Sequence, residues 1–446
     1  MRIRTCISYL LLMVICLSLQ PSSLTTALGQ TPAAYEVTAK YNVKVRMRDG
    51  VGLATQIFRP TSPDRFPVIV VRDPYSNGTT DTRVKEANFW ASNGFVYIIQ
   101  SVRGRYDSEG HYYPYIYEIN DGYDTQQWAG TQPWSNGRVG TLGASYLATV
   151  QWMSAPLRSP YLKAMNPMVT PFNYYYDVMY PGGAFALVSR IGWGALMGSR
   201  TSLSGIFGRL QKNLTHLPLI DMDEAIGLQL PHWKDWIEHP SYDAYWKVLD
   251  VESQVSDIEV PSLNVGGWYD VFQRGTLTSY AKMVSQGRTA EARMGQKLIM
   301  GPWPHGLNRS TKTGDLDFGE EAIIDLQSLQ LRWMNHWLKG EETGIMDEAP
   351  VRIFVMGENK WRDEQSWPLT RSQPTRYYLH SSGNANTPAD GTLSTRAPRQ
   401  EPVDSYTYDP MNPVPTRGGN MLGGGGPREQ GDVEPRGDVL TFQTEA

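Results

Sequence analysis

Cysteine is nearly missing from this chain: among 446 residues only two thiols occur, Cys6 and Cys16. Both lie in the opening stretch MRIRTCISYLLLMVICLSLQPSSLTTALGQ, where Arg2 and Arg4 precede an apolar run from about Cys6 to Leu19 and Ala27-Leu28-Gly29 follows. That succession of basic, apolar and small residues reads as a secretory signal over residues 1–29, cleaved after Gly29. The apolar run is short for a bilayer span, and no later segment reaches its hydrophobicity. No membrane span is therefore expected after cleavage, with an uncleaved anchor as the alternative. The mature chain, secreted or periplasmic, would carry no thiol. Disulfides, a cysteine nucleophile and Cys-ligated metal are then excluded.

A dominant charge is missing too. The formal net charge of −4 leaves no basic field for nucleic acid, so none is expected as a partner. H-E-x-x-H and P-loop patterns do not occur, and His232 and His239 are too far apart for a helical metal pair; neither metal nor cofactor is expected. Aromatic residues, in contrast, are plentiful: 14 Trp and 25 Tyr in a chain that is 40% hydrophobic describe a globular protein with ample core. Its length predicts more than one structural unit. It is compatible with a homo-oligomer.

Along the chain, YNVKVRMRDGVGLATQIFRP alternates on both sides of Asp49-Gly50, as a β-hairpin does. FPVIVVRDPY and GFVYIIQSVRG are unbroken runs suited to strands buried on both faces, with a polar helical segment between them. The stretch GRVGTLGASYLATVQW follows, then the strand YLKAMNPMV. This alternation predicts a mostly parallel sheet covered by helices. From about 171 to 255 the β pattern fades into aromatic and Leu-rich helical segments, a helical insertion. Strands return near Ser262–Val265 and Lys297–Met300 and complete a domain over 30–345. Beyond it, VRIFVM, TRYYLH, SYTYDP and DVLTFQ stand apart among Pro- and Gly-rich loops, GGNMLGGGGPREQG being read as mobile. Four sparse strands do not close a sandwich, so 346–446 reads as a truncated β domain.

Ser145 stands at the corner where a strand ending near Gly143 meets a helix starting near Ala148. A serine on such a turn projects its hydroxyl clear of both elements, beside free N–H groups able to hold an anion. Leu147 departs from the strict G-x-S-x-G pattern, and a plain helix-capping serine is the alternative. Of the seven histidines, only His305 in KLIMGPWPHG follows a candidate sheet strand directly. Asp270 in SLNVGGWYD does the same and could accept His305 Nδ1–H. The order Ser145, Asp270, His305 is that of α/β-hydrolases. The alternatives are a surface imidazole for His305 and a helix cap for Asp270. An oxyanion would need two donors: the Tyr146 N–H next to the serine, and a group from RDPYSNG, where Tyr75 offers a hydroxyl.

VRDPY, SVRGRYDSEG, PWSNGRVGTLGASYLATVQW, GGWYDVFQRG, GPWPHG and RWMNHWLKG...APVRIFVMGENKWRD together resemble the CocE/NonD hydrolases, the cocaine esterase and X-prolyl dipeptidyl-peptidase family, over residues from about Tyr41 onward. The resemblance implies an α/β-hydrolase with a helical cap, followed by a jelly-roll sandwich of which this chain holds an incomplete part. It also implies a serine hydrolase with Ser145, Asp270 and His305 as triad and the Tyr75 hydroxyl with Tyr146 N–H as oxyanion hole. A small-molecule acyl ester or amide would be cleaved through an acyl-enzyme. Family members selective for α-amino acyl groups carry acidic residues just after the triad aspartate, where this chain has Val271-Phe272, which argues against amino-acid esters and dipeptidyl substrates. The aromatic cap, Tyr174, Tyr175, Tyr176, Tyr180, Phe185 and Trp193, with Trp268 by the acid, suggests an apolar acyl or alcohol pocket, packing in the core being the alternative for these rings. An X-prolyl dipeptidyl-peptidase and a catalytically impaired binding protein are the other readings.

Overall fold

A computed structural model describes residues 35–445 apart from 204, 388 and 389. The expected signal at 1–29 lies outside the described residues. One sheet of ten strands organises the molecule, in the order β1-β2-β4-β3-β5-β6-β7-β8-β11-β12. The hairpin at Asp49-Gly50 joins β1 (Val37–Arg46) to β2 (Gly52–Pro60), which pair antiparallel with one irregularity between Lys40 and Val43. Next come β3 (Phe66–Asp73), β4 (Val96–Ser101), β5 (Ser135–Ala144), β6 (Leu162–Met168), β7 (Ser262–Tyr269) and β8 (Gln296–Pro304). From β4 through β8 every neighbouring pair is parallel. All eight residues of β3 and all six of β4 are buried, as strands covered by helices on both faces must be.

The helices α1 (Asp81–Ser92), α2 (Glu118–Thr131) and α3 (Tyr146–Ser154) lie in the β3–β4, β4–β5 and β5–β6 connections. Thr80 caps α1 by accepting the Arg83 N–H. Between β6 and β7 the described residues form no strand. The insertion is instead built of short helices, among them Leu187–Leu196, Ile206–Asn213 and Pro231–Glu238, and a bridge between Asn173 and Asp250 ties its base together. Its rings merge with the sheet core: Trp233, Trp236 and Trp246 are fully buried in the same cluster as Trp152 and Trp333.

The C-terminal part differs from the sequence expectation in two ways. VRIFV is β11 (Val351–Val355), and it extends the main sheet at its edge, pairing parallel with β8 and antiparallel with β12 (Lys360–Glu364). Its alternating pattern could not say which sheet it would join. A small pair, β9 (Lys312–Thr313) and β10 (Leu316–Asp317), precedes it, and among the described residues beyond β12 only β13 (Tyr378–His380) and β14 (Thr392–Ser394) pair as strands. SYTYDP carries no strand, and DVLTFQ contributes a single bridge from Gln443 to Thr392. The glycine-rich segment, read as mobile, is seated: Asn420 Nδ2 donates to the carbonyls of Asp270 (2.9 Å) and Trp268 (3.2 Å), and Asp315 N–H donates to Pro427 O (2.8 Å). The C-terminal chain thereby holds the turns that follow β7 and β8.

The turn from β5 into α3 shows why its residues are small. Ser145 has φ 61° and ψ −123°, in the left-handed half of φ space that a side chain rarely adopts. The strain is held by Ser145 N–H donating to Met168 O at the end of β6 and by Ala148 and Thr149 N–H donating to Ser145 O, each at 2.9 Å. Gly143 passes so close to α3 that an added Cβ would lie 2.4 Å from Leu147 Cβ. Leu147 therefore replaces the usual second glycine only because Gly143 yields the space. Gly143→Ala is expected to cost about 1–3 kcal/mol, the range for overpacking, and to lower the melting temperature by several degrees in thermal denaturation.

Candidate active site

Ser145, Asp270 and His305 are each the first residue beyond the carboxyl end of a strand: β5, β7 and β8. Because these strands run parallel in one sheet, their ends share one edge, and residues 160 positions apart meet there. His305 Nε2 lies 2.9 Å from Ser145 Oγ, and His305 Nδ1 lies 2.7 Å from Asp270 Oδ1. Asp270 is fully buried, and its Oδ2 has no hydrogen-bond partner among the described residues, which leaves the imidazole as the side-chain partner of this carboxylate. A buried carboxylate so placed fixes the ring orientation and favours a proton on Nδ1, leaving Nε2 as an acceptor for the serine hydroxyl. Phe272 packs edge-on against the imidazole, with centroids 5.3 Å apart, and closes its flank to water.

Two donors expected for an anion are also here. Tyr146 N–H is the first of α3 and has no intrahelical acceptor. The Tyr75 ring packs edge-on against Tyr146, the residue after Ser145, with centroids 6.3 Å apart, and its hydroxyl accepts Trp193 Nε1–H at 3.1 Å. Burial pushes the Tyr75 phenol up to about 12, against weaker lowering by the Trp193 bond, so it keeps its proton throughout neutral pH. Its loop is fixed from several sides. Asp73, at the end of β3, accepts Tyr75 N–H (2.7 Å) and is paired with Arg83 (2.9 Å). The buried Arg105, from GRYDSEG, donates to Pro74 O (2.9 Å), and in the insertion to Met197 O (3.1 Å) and Ser199 O, so one guanidinium ties this loop to the cap.

Tyr146 has a second role through its side chain. Its hydroxyl donates to Glu118 Oε1 at 2.9 Å, and its ring stacks on Tyr115 (4.6 Å) and Trp193 (6.0 Å). Glu118 is fully buried, which pushes its carboxyl up, while the adjacent Arg72 pulls it back. Arg72 and Arg103 both reach Asp121, at 3.7 and 2.7 Å, and Arg103 continues to Asp49. This buried chain of charges lies beneath the turn that carries Tyr146. Tyr115 and Glu118 carried no sequence signal as site residues. The positive φ of Tyr115, 70°, and the burial of Glu118 emerge only on folding.

Ser145, His305, Asp270, Tyr75 and Tyr146 thus converge. Three of the residues expected in the pocket do not join this cluster. Trp268 donates Nε1–H to Phe354 O (2.8 Å) and packs against Trp367, so it faces β11 and not the cap. Tyr176 is 44% exposed, against Tyr242 on the outside of the insertion, and Phe185 packs between Tyr180 and Trp233 within it. Of the cap rings, Tyr174 and Trp193 pack on Tyr115, which the sequence did not mark, and the three form an aromatic wall. Among the described residues, no three His, Cys, Asp or Glu side chains gather to hold a metal, and no helix is long and apolar enough to cross a membrane.

Known proteins resemble this chain over most of its length. Residues 49–307 match the model of the X-Pro dipeptidyl-peptidase (S15) family, and residues 343–446 match that of the X-Pro dipeptidyl-peptidase C-terminal non-catalytic domain. A cocaine esterase of Rhodococcus sp. (strain MB1 Bresler) is 34% identical over 431 residues, covering 91% of this chain and 74% of its own length. An α-amino acid ester hydrolase structure superposes with TM-score 0.69 at 26% identity, over 89% of this chain and 69% of that one. The crystal structure of an aminopeptidase from a marine sediment Thaumarchaeota archaeon shares the fold, with TM-score 0.70 at 24% identity over 90% of this chain and 69% of that chain. The chain therefore belongs to the X-Pro dipeptidyl-peptidase (S15) family of CocE/NonD serine hydrolases.

Proposed function

We propose that this protein is a secreted esterase that cleaves acyl esters, or activated amides, of small molecules through an acyl-enzyme on Ser145. The reading is carried by the unbroken hydrogen-bonded line Asp270–His305–Ser145, at 2.7 and 2.9 Å. His305 Nε2 takes the hydroxyl proton as Ser145 Oγ attacks the carbonyl carbon. Asp270 stabilises the imidazolium. The carbonyl oxygen, now anionic, receives hydrogen bonds from Tyr146 N–H and the Tyr75 hydroxyl. Collapse of this intermediate breaks the bond to the leaving alcohol, which takes the proton from His305. Water, deprotonated by the same imidazole, then attacks the acyl-serine, and the acid and free Ser145 are released. The wall of Tyr115, Tyr174 and Trp193 suits an apolar part of the substrate.

The S15 family match favours a second reading, cleavage of Xaa-Pro peptides. Phe272 weighs against it: the position two after Asp270, where the resemblance to α-amino acyl hydrolases implies acidic residues, holds an apolar ring packed edge-on against the imidazole. A higher kcat/KM on an Xaa-Pro p-nitroanilide than on a p-nitrophenyl ester would reverse this preference.

Ser145→Ala is expected to lower kcat on p-nitrophenyl butyrate by about 10⁴-fold or more and to abolish fluorophosphonate labelling; undiminished turnover sinks the reading. Tyr75→Phe is expected to reduce kcat by about 10²- to 10³-fold with a smaller change in KM, as loss of one oxyanion donor does. Because the phenol loses its proton only near pH 12, this donor is present below that pH and lost above it. Wild type and Tyr75→Phe are therefore expected to share one shape of pH–rate profile between pH 6 and 10, checked by initial rates.

A further inference from the structure

Four arginines are buried among the described residues: Arg72, Arg103, Arg105 and Arg190. Three are paired. Arg72 and Arg103 meet carboxylates, and Arg105 donates to three backbone carbonyls. Arg190 is different. It is 3% exposed, and its one side-chain hydrogen bond is from Nε to the hydroxyl of its neighbour Ser189 (3.2 Å), leaving both terminal nitrogens without a partner among the described residues. Among the described residues, neither an ion pair nor an aromatic face compensates its charge. Such a group is expensive to bury unless something else supplies the opposite charge.

Its position says where that charge would come from. Arg190 lies on the insertion helix Leu187–Leu196, one turn before Trp193, and residues three apart share a helix face. That face meets the active site, because Trp193 Nε1 donates to the Tyr75 hydroxyl and the Trp193 ring stacks on Tyr146. The ionisable groups acting on Arg190 are the hydroxyls of Tyr174, Tyr115 and Tyr75, with no carboxylate among them, and burial pushes the guanidinium below its ordinary value. A fork of donors thus stands in the aromatic wall beside the oxyanion donors.

We propose that Arg190 binds a carboxylate carried by the substrate, so that the preferred esters are anionic: either half-esters of a dicarboxylic acid, with the carboxylate in the acyl chain, or esters of a hydroxy acid, with it in the leaving group. The ligand's identity as an ester rests on the proposed hydrolase reading; the charge preference does not. A bidentate guanidinium–carboxylate contact orients as well as binds. The rings around it would hold the intervening methylene groups.

Binding can be tested without turnover, in the Ser145→Ala protein, by tryptophan fluorescence titration with three non-aromatic probes: monomethyl glutarate, butyryloxyacetate and the neutral dimethyl glutarate. One of the two carboxylates is expected to bind about tenfold or more tightly than dimethyl glutarate, and which one does so assigns the acyl or the alcohol side. The advantage is expected to disappear in Ser145→Ala/Arg190→Met and to survive in part in Ser145→Ala/Arg190→Lys, which keeps the charge and loses the fork. Equal affinity for all three probes, or an advantage that persists in the methionine variant, overturns the proposal. Should the methionine variant fail to fold, the lysine variant decides, an undiminished preference for a carboxylate over the diester counting against a bidentate Arg190. Residual esterase activity in Ser145→Ala would sink the hydrolase reading and leave this charge measurement standing.

Discussion

Parallel alignment of β5, β7 and β8 is the constraint on which the site rests. A strand's direction fixes which of its ends faces which edge of the sheet, and the parallel registers from β5 to β8 bring three carboxyl ends to a single edge. Ser145, Asp270 and His305 need only be the next residues out. The sheet thus does what a flexible loop could not: it holds a hydroxyl, an imidazole and a carboxylate in one line with little conformational entropy left to lose. Ser145 bears the local cost in its unusual φ, and the hydrogen bond from its N–H to the end of β6 offsets it.

Around that line, the molecule invests buried charge in positioning. Glu118, Arg72, Asp121 and Arg103 lie under Tyr146, while Arg105 ties the Tyr75 loop to the cap. Buried ion pairs add little net stability, because desolvation consumes the attraction. Their directional bonds nevertheless leave few alternative placements for the two proposed oxyanion donors. The GRYDSEG stretch is thereby explained by the backbone carbonyls that Arg105 holds. Arg190 stands out beside them, because among the described residues it has neither a carboxylate nor a carbonyl partner, in the wall formed by the cap.

The C-terminal chain adds support from the opposite side. Asn420 bonds to the backbone of Asp270 and Trp268, and Pro427 receives a bond from the β9–β10 turn that follows His305. A segment of glycines that composition alone marks as mobile is thus fixed at points by the turns it covers. Trp268 shows the same limit in another form: its sequence position two residues before Asp270 suggested the pocket, yet β7 is irregular between Gly267 and Tyr269 and the indole meets β11, where its Nε1 donates to Phe354 O. VRIFV read as an isolated strand because pairing is non-local, and its partner β8 lies about fifty residues earlier.

From its sequence alone, this chain's sheet-and-helix class was legible, and Ser145, Asp270 and His305 stood out as candidates, because apolar runs, glycine-broken turns and the residues that follow strands are local features. Folding alone decided that Ser145, Asp270 and His305 touch, that Tyr115, Glu118 and Arg190 are buried beside them, and that Trp268 and Tyr176 turn away. Those outcomes depend on which strands pair and on how the insertion packs over the sheet. Such choices are made by the summed burial of distant surfaces, which no short stretch of sequence encodes.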